Sequence, residues 1–122
     1  MYSEQLLDHF QNPRNAGEVS DADAVAQIEN PVCGDVLRLT LKENAGRITE
    51  VKFKARGCVA AIACGSALTE LATGMRLNEA RELRREDVSG AVGGLPVASA
   101  HAAQLAIDAL VAALGRIGRT KL

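Results

Sequence analysis

Two neighbouring stretches of this chain alternate apolar and polar residues, and the alternation ends at a Gly-Cys pair. From Asp35 to Lys42, Leu37, Leu39 and Leu41 point one way and Arg38, Thr40 and Lys42 the other. From Ile48 to Arg56, Val51, Phe53 and Ala55 oppose Lys52, Lys54 and Arg56. A period of two marks half-buried strands. The short, Gly-containing stretch between them, Glu43 to Arg47, predicts a hairpin. After Gly57-Cys58 the period becomes helical: Ala60, Ala61, Cys64, Ala67, Leu68 and Leu71 form an apolar stripe, with Ser66, Thr69, Glu70 and Thr73 opposite. The chain is therefore read as a hairpin followed by a helix from Val59 to Thr73, ending at Gly74.

The rest of the chain is read around that unit. Ser3 to Phe10 reads as a short capped helix, ended by the turn Asn12 to Gly17. Ala24 to Glu29 is a candidate strand. Leu77 to Val92 reads as one or two short helices, with the mixed charges of Arg81 to Asp87 coating a surface. Gly93-Gly94-Leu95-Pro96 breaks the chain before a last helix that runs to about Leu114 and is capped by Gly115. The basic tail from Arg116 to Leu122 is expected to fray. No repeat or linker divides the 122 residues, so 1–122 is read as a single domain.

Composition excludes several function classes. Lys and Arg number 14 against 15 Asp and Glu, a net charge of −1, which is not the balance of a general nucleic-acid or membrane-surface binder. Aromatic residues are 2% (Tyr2, Phe10 and Phe53), so stacking platforms are not expected. No apolar run is expected to span a membrane, and the N-terminus has no secretory or transit pattern. Three cysteines in such a chain read as thiols for chemistry or metal in a reducing, cytoplasmic setting.

The hairpin gathers the chemistry. With Lys42 near Ile48, cross-strand position numbers sum to about 90. Asp35 then falls opposite about Ala55, and Cys33 opposite about Gly57. Cys33 and Asp35, two apart in extended chain, project together, and Cys58 lies beside them. A helix N-terminus lowers a thiol pKa, whereas a carboxylate beside two cysteines raises it unless a cation lies between. That like-charge cluster is the sequence argument for a metal. His101, off the main apolar face of the last helix and near its start, is a possible fourth donor.

These residues carry a resemblance. Asp8-His9-Phe10-Gln11-Asn12-Pro13-Arg14-Asn15, Asn30-Pro31-Val32-Cys33-Gly34-Asp35, Gly57-Cys58-Val59-Ala60-Ala61-Ile62-Ala63 and Leu95-Pro96 with His101 resemble the iron–sulfur cluster assembly scaffolds of the IscU type, also found as the NifU N-terminal domain. The resemblance implies an α+β fold, a small antiparallel sheet of about three strands with helices on one face. It implies a transient [2Fe–2S] cluster, or zinc in place of iron and sulfide, held by Cys33, Asp35, Cys58 and His101. It also implies a cysteine desulfurase as sulfur source, a chaperone pair, and apo iron–sulfur acceptor proteins, with no nucleic acid or membrane partner. Such a scaffold is not itself counted as an enzyme.

Two departures stand out. The family's third cysteine directly follows the histidine, where this chain has Ala102. Its chaperone clients carry Leu-Pro-Pro-Val-Lys where this chain has Leu95-Pro96-Val97-Ala98-Ser99. Three functions stay open: a cluster scaffold or carrier with an altered ligand set, a zinc-organised sulfur carrier, and an interaction module that has lost assembly. Cys64 reads as a core cysteine, with a rescue ligand or resolving thiol as the alternative. His9 is assigned to the surface of the first helix. The basic strand face reads as solvated, or as a dock for an acidic partner.

Overall fold

A computed structural model describes residues 1–120. β1 (Ala24–Glu29) pairs antiparallel with β2 (Val36–Asn44), which pairs antiparallel with β3 (Arg47–Arg56) as the expected hairpin, in the order β1-β2-β3. The turn is tighter than its sequence suggests. Asn44 pairs with Arg47, leaving Ala45 (φ 54°) and Gly46 (φ 82°) as a two-residue loop, both left-handed. That geometry matches the twist of the strands it joins. A bulge at Thr49, between the Lys42–Glu50 and Glu43–Ile48 pairs, lets Ile48 and Val51 both face the core although three residues apart.

Turn and bulge correct the expected register. Val36 pairs with Arg56, so the ladder is shifted by two residues and Asp35 comes level with Gly57 rather than Ala55. A shift of two leaves every side chain on its face. Leu37, Leu39, Leu41, Val51 and Phe53 are accordingly all buried.

The α+β layering follows. α1 is Glu4–Gln11, α2 Val59–Ala72, α3 Leu77–Ala80, α4 Arg85–Ala91, and α5 His101–Thr120. The last two are separated by a 3₁₀ turn at Val97–Ser99. Ser3 caps α1 by accepting from the Leu6 N–H at 3.0 Å, and its hydroxyl donates to the Val92 carbonyl, tying the N-terminus to the end of α4. α2 sits directly on the hairpin: a Cβ on Gly65 would lie 2.7 Å from Phe53 Cδ2 and 3.0 Å from Leu37 Cδ1.

α2 is buried on more than the expected stripe. Ser66 and Thr69, expected opposite the core, are both 0% exposed. The reason is His9, which is buried rather than on the surface. Its Nδ1 lies 2.8 Å from Ser66 Oγ, and the Arg14 N–H donates to the same oxygen at 2.9 Å. Asn15 Nδ2 donates to Thr69 Oγ1 at 3.2 Å. α1 and its following turn thus form a second, polar-lined lid over α2.

Burial, then the positive charge of Arg14, hold the His9 pKa below its ordinary 6.5, against the opposing pull of Glu70 and Asp8. The unfolded chain therefore takes up this proton first as pH falls through about 6.5, and folding stability is lost from there downward until folded His9 protonates too. Urea unfolding should show the loss beginning below about pH 7, and His9→Gln should remove that part of the slope.

The C-terminal helix also differs from expectation. Gly115 does not cap α5, which continues to Thr120 because Ala106, Leu110, Ala113 and Leu114 extend their buried stripe to Ile117. Arg116 therefore begins no frayed tail within the described residues; Lys121 and Leu122 lie outside them. Val97–Ile117 is, by length and composition, apolar enough to cross a membrane, contrary to the expectation that no run is. Here it packs as the core helix against β1, β2 and α2.

Candidate metal centre

The site forms where the β1–β2 connection meets the starts of α2 and α5. Asn30 to Asp35 closes on itself: the Asn30 N–H donates to the Asp35 carbonyl at 2.8 Å, and the Gly34 N–H to the Asn30 carbonyl at 2.7 Å. The Val32 N–H donates to Asn30 Oδ1 at 3.0 Å, and Gly34 has φ 76°. Cys33 and Asp35 are therefore brought together by a closed loop, not by the extended strand expected. The loop leaves Cys33 exposed and buries Asp35 to 2% exposure.

Three donor atoms converge. His101 Nε2 lies 3.4 Å from Asp35 Oδ2 and 3.5 Å from Cys33 Sγ. One ligand atom from each of Cys33, Asp35 and His101 falls within 4.8 Å of the others. Sulfur and nitrogen donors at ~2.3 and ~2.0 Å from a tetrahedral ion are ~3.5 Å apart, so these separations suit a shared metal. His101 reaches the site because the 3₁₀ turn delivers it as the first residue of α5. Ala102, one residue on, is 1% exposed and packs in the core.

Cys58 joins through the carboxylate and lies outside that converged triad. Its S–H donates to Asp35 Oδ2 at 3.2 Å and its N–H to Asp35 Oδ1 at 3.0 Å. It also caps α2, its sulfur accepting from the Ala61 N–H at 3.4 Å. The helix start was expected to favour the thiolate. Instead burial pushes the Cys58 thiol up, the Ala61 N–H only partly opposes this, and Asp35 adds to the rise. Burial would raise the Asp35 carboxyl too, but hydrogen bonds from Cys58, Cys33 and His101 outweigh it and hold the pKa below the usual value. The carboxylate is thus charged and the neighbouring thiol keeps its proton, which a bound cation would displace. Asp35→Asn should lower the Cys58 pKa and speed its alkylation by iodoacetamide near pH 8, read by peptide mass spectrometry; an unchanged rate would remove Asp35 from the cause.

The remaining thiol is elsewhere. Cys64 is 0% exposed, within the α2 core, and burial with the nearby Cys58 pushes its pKa up to about 12. That environment suits a packing residue. A shallow groove of about 200 Å³ adjoins His101, between Glu29, Pro31, Gln104 and Asp108. Sequence reasoning passed over it because Gln104 and Asp108 become neighbours of Pro31 only when α5 docks on β1.

Comparisons with known proteins show the family of the chain and its fold. The scaffold protein IscU 1 of Archaeoglobus fulgidus, named for iron–sulfur cluster assembly, is 48% identical over 110 residues, 90% of this chain and 72% of its own. The Escherichia coli IscU scaffold is 38% identical over 117 residues, covering 93% of this chain and 91% of its own. A crystal structure of the N-terminal part of a nitrogen-fixing NifU-like protein from Brucella abortus shares the fold, with a TM-score of 0.79 at 19% identity over 96% of this chain and 94% of that one. The family model for the NifU-like N-terminal domain matches residues 1–121. By sequence over nearly its whole length, and by a sheet and helices laid out alike, the chain belongs to the NifU-like N-terminal domain family, to which the IscU scaffolds are its relatives.

Proposed function

We propose that the protein is an iron–sulfur cluster assembly scaffold that holds a transient [2Fe–2S] cluster as cargo on Cys33, Asp35, Cys58 and His101. The observation that carries the ligand set is the meeting of Cys33, Asp35 and His101 around one centre, with the Cys58 thiol on the same carboxylate oxygen. Four protein donors are the number a [2Fe–2S] cluster takes. Sulfur would come from a cysteine desulfurase, and the cluster would pass to apo acceptor proteins, with or without a chaperone pair. The protein binds and hands on; it turns over no substrate of its own. All three cysteines are free, as a reducing cytoplasm would keep them.

One observation favours a second reading. Zinc on Cys33, Asp35 and His101 would leave Cys58 free to accept the terminal sulfur of a desulfurase persulfide, returning a thiolate to the desulfurase. Anaerobic reconstitution with iron and sulfide, and separately with zinc, decides between them. Iron and acid-labile sulfide in equal amounts support the scaffold. Zinc alone, with a persulfide trapped on Cys58, supports the carrier. Neither metal overturns both and leaves an interaction module.

A further inference from the structure

We propose that the outer face of the sheet, at the end nearest Cys58, docks an extended acidic segment of a partner protein. The outward positions of β2 and β3 place Arg38 directly opposite Lys54 in the ladder, with Arg56 the next outward residue along β3. Like charges facing each other across a strand pair disfavour the sheet unless a negative charge lies between them. The chain as a whole carries −1, so this cationic face is a local concentration of charge.

The face is also shaped. A groove of about 330 Å³ is lined by Gln27, Val36, Arg38, Lys54 and Arg56, with Glu18 at its side. A carboxylate already occupies part of it: Glu18 Oε1 lies 3.0 Å from Arg38 Nε and 3.9 Å from Lys54 Nζ. Among the described residues, no carboxylate lies within ion-pair distance of Arg56. Lys54 and Arg56 are successive outward residues, about 6.6 Å apart along the strand, and alternate side chains of an extended peptide repeat at nearly that spacing. Two carboxylates at positions i and i+2 of such a segment match the two cations. Nucleic acid fits less well, because no aromatic side chain lines the groove for base stacking.

The test uses the metal-free full chain, so its failure leaves the cluster reading untouched. A fluorescent ten-residue peptide alternating Glu and Ser is titrated by anisotropy, beside a single-stranded oligonucleotide. The peptide should bind in a salt-sensitive manner, and Lys54→Glu/Arg56→Glu should weaken it at least about tenfold. The milder Lys54→Gln/Arg56→Gln should weaken it less, and Arg84→Glu/Arg85→Glu, on and beside α4, should leave it unchanged. Absence of binding, indifference to the Lys54 and Arg56 changes, equal sensitivity to the α4 changes, or tighter binding of the oligonucleotide would each overturn the proposal. Circular dichroism on each variant confirms that the comparison is between folded chains.

Discussion

Gly57→Ala is expected to cost more stability than any other glycine-to-alanine change at a loop or turn of this chain, and to disturb the candidate metal centre as well. Gly57 has φ 143°, and a Cβ there would lie 2.1 Å from Asp35 Oδ1 and 2.7 Å from its Cγ. The backbone strain is worth ~1–3 kcal/mol. Overpacking against a buried side chain adds ~1–3 kcal/mol. Together that is a large share of the ~5–15 kcal/mol that holds a domain folded. Asp35 can yield only by leaving the Cys58 N–H and S–H that it accepts. Gly46→Ala is the control: its φ is 82°, yet nothing lies within 4 Å of the added carbon. Urea unfolding of both variants reads the steric part as their difference. Equal losses would mean that Asp35 is not the obstacle.

Cys33→Ser and Cys58→Ser should each remove nearly all bound iron and sulfide after anaerobic reconstitution. The loss should exceed the ~10–100-fold that removing a merely supporting partner costs a metal site. Serine suits the test at both positions. Cys33 is exposed, so little packing is lost, and Ser at 58 is a better helix cap than the Cys it replaces. A lost cluster would therefore report a lost thiol. Cys64→Ala should retain the cluster, because that thiol is buried and kept protonated. Retention in both serine variants would refute the ligand set, and loss in Cys64→Ala would make Cys64 a ligand.

Much of this architecture was legible in local pattern. Alternation found β2 and β3 and their buried faces, and Ser3 marked the start of α1. The limits of β1, Ala24–Glu29, were read as observed. The exact pairing was not, because the phase of the hairpin depends on a two-residue turn and a bulge, which polar residues such as Lys42, Glu43 and Thr49 do not announce. One signal was present and passed over. From Val59 to Thr69 the chain has no charged residue, the mark of a helix covered on several sides, which implied a cover for Ser66 and Thr69. Gly115 misled in the opposite way, since buried Ile117 outweighs the modest cost of glycine inside a helix.

The candidate site divides along the same line. The sequence alone determined which residues carry donors and that Cys33, Asp35 and Cys58 share one end of the sheet, because strand period and chain connectivity are local properties. Its resemblance to a family turned His101 from a possible donor into an implied ligand, and showed that Ala102 stands where a thiol was expected. Only the tertiary structure decided that Cys33, Asp35 and His101 come together, that Cys58 lies beside them with its thiol pKa raised by burial and then by Asp35, and that Cys64 is packed away. Those outcomes depend on how α2 and α5 dock on the sheet. Docking sets distances between residues dozens of positions apart, and burial then sets their charge, neither of which any local pattern encodes.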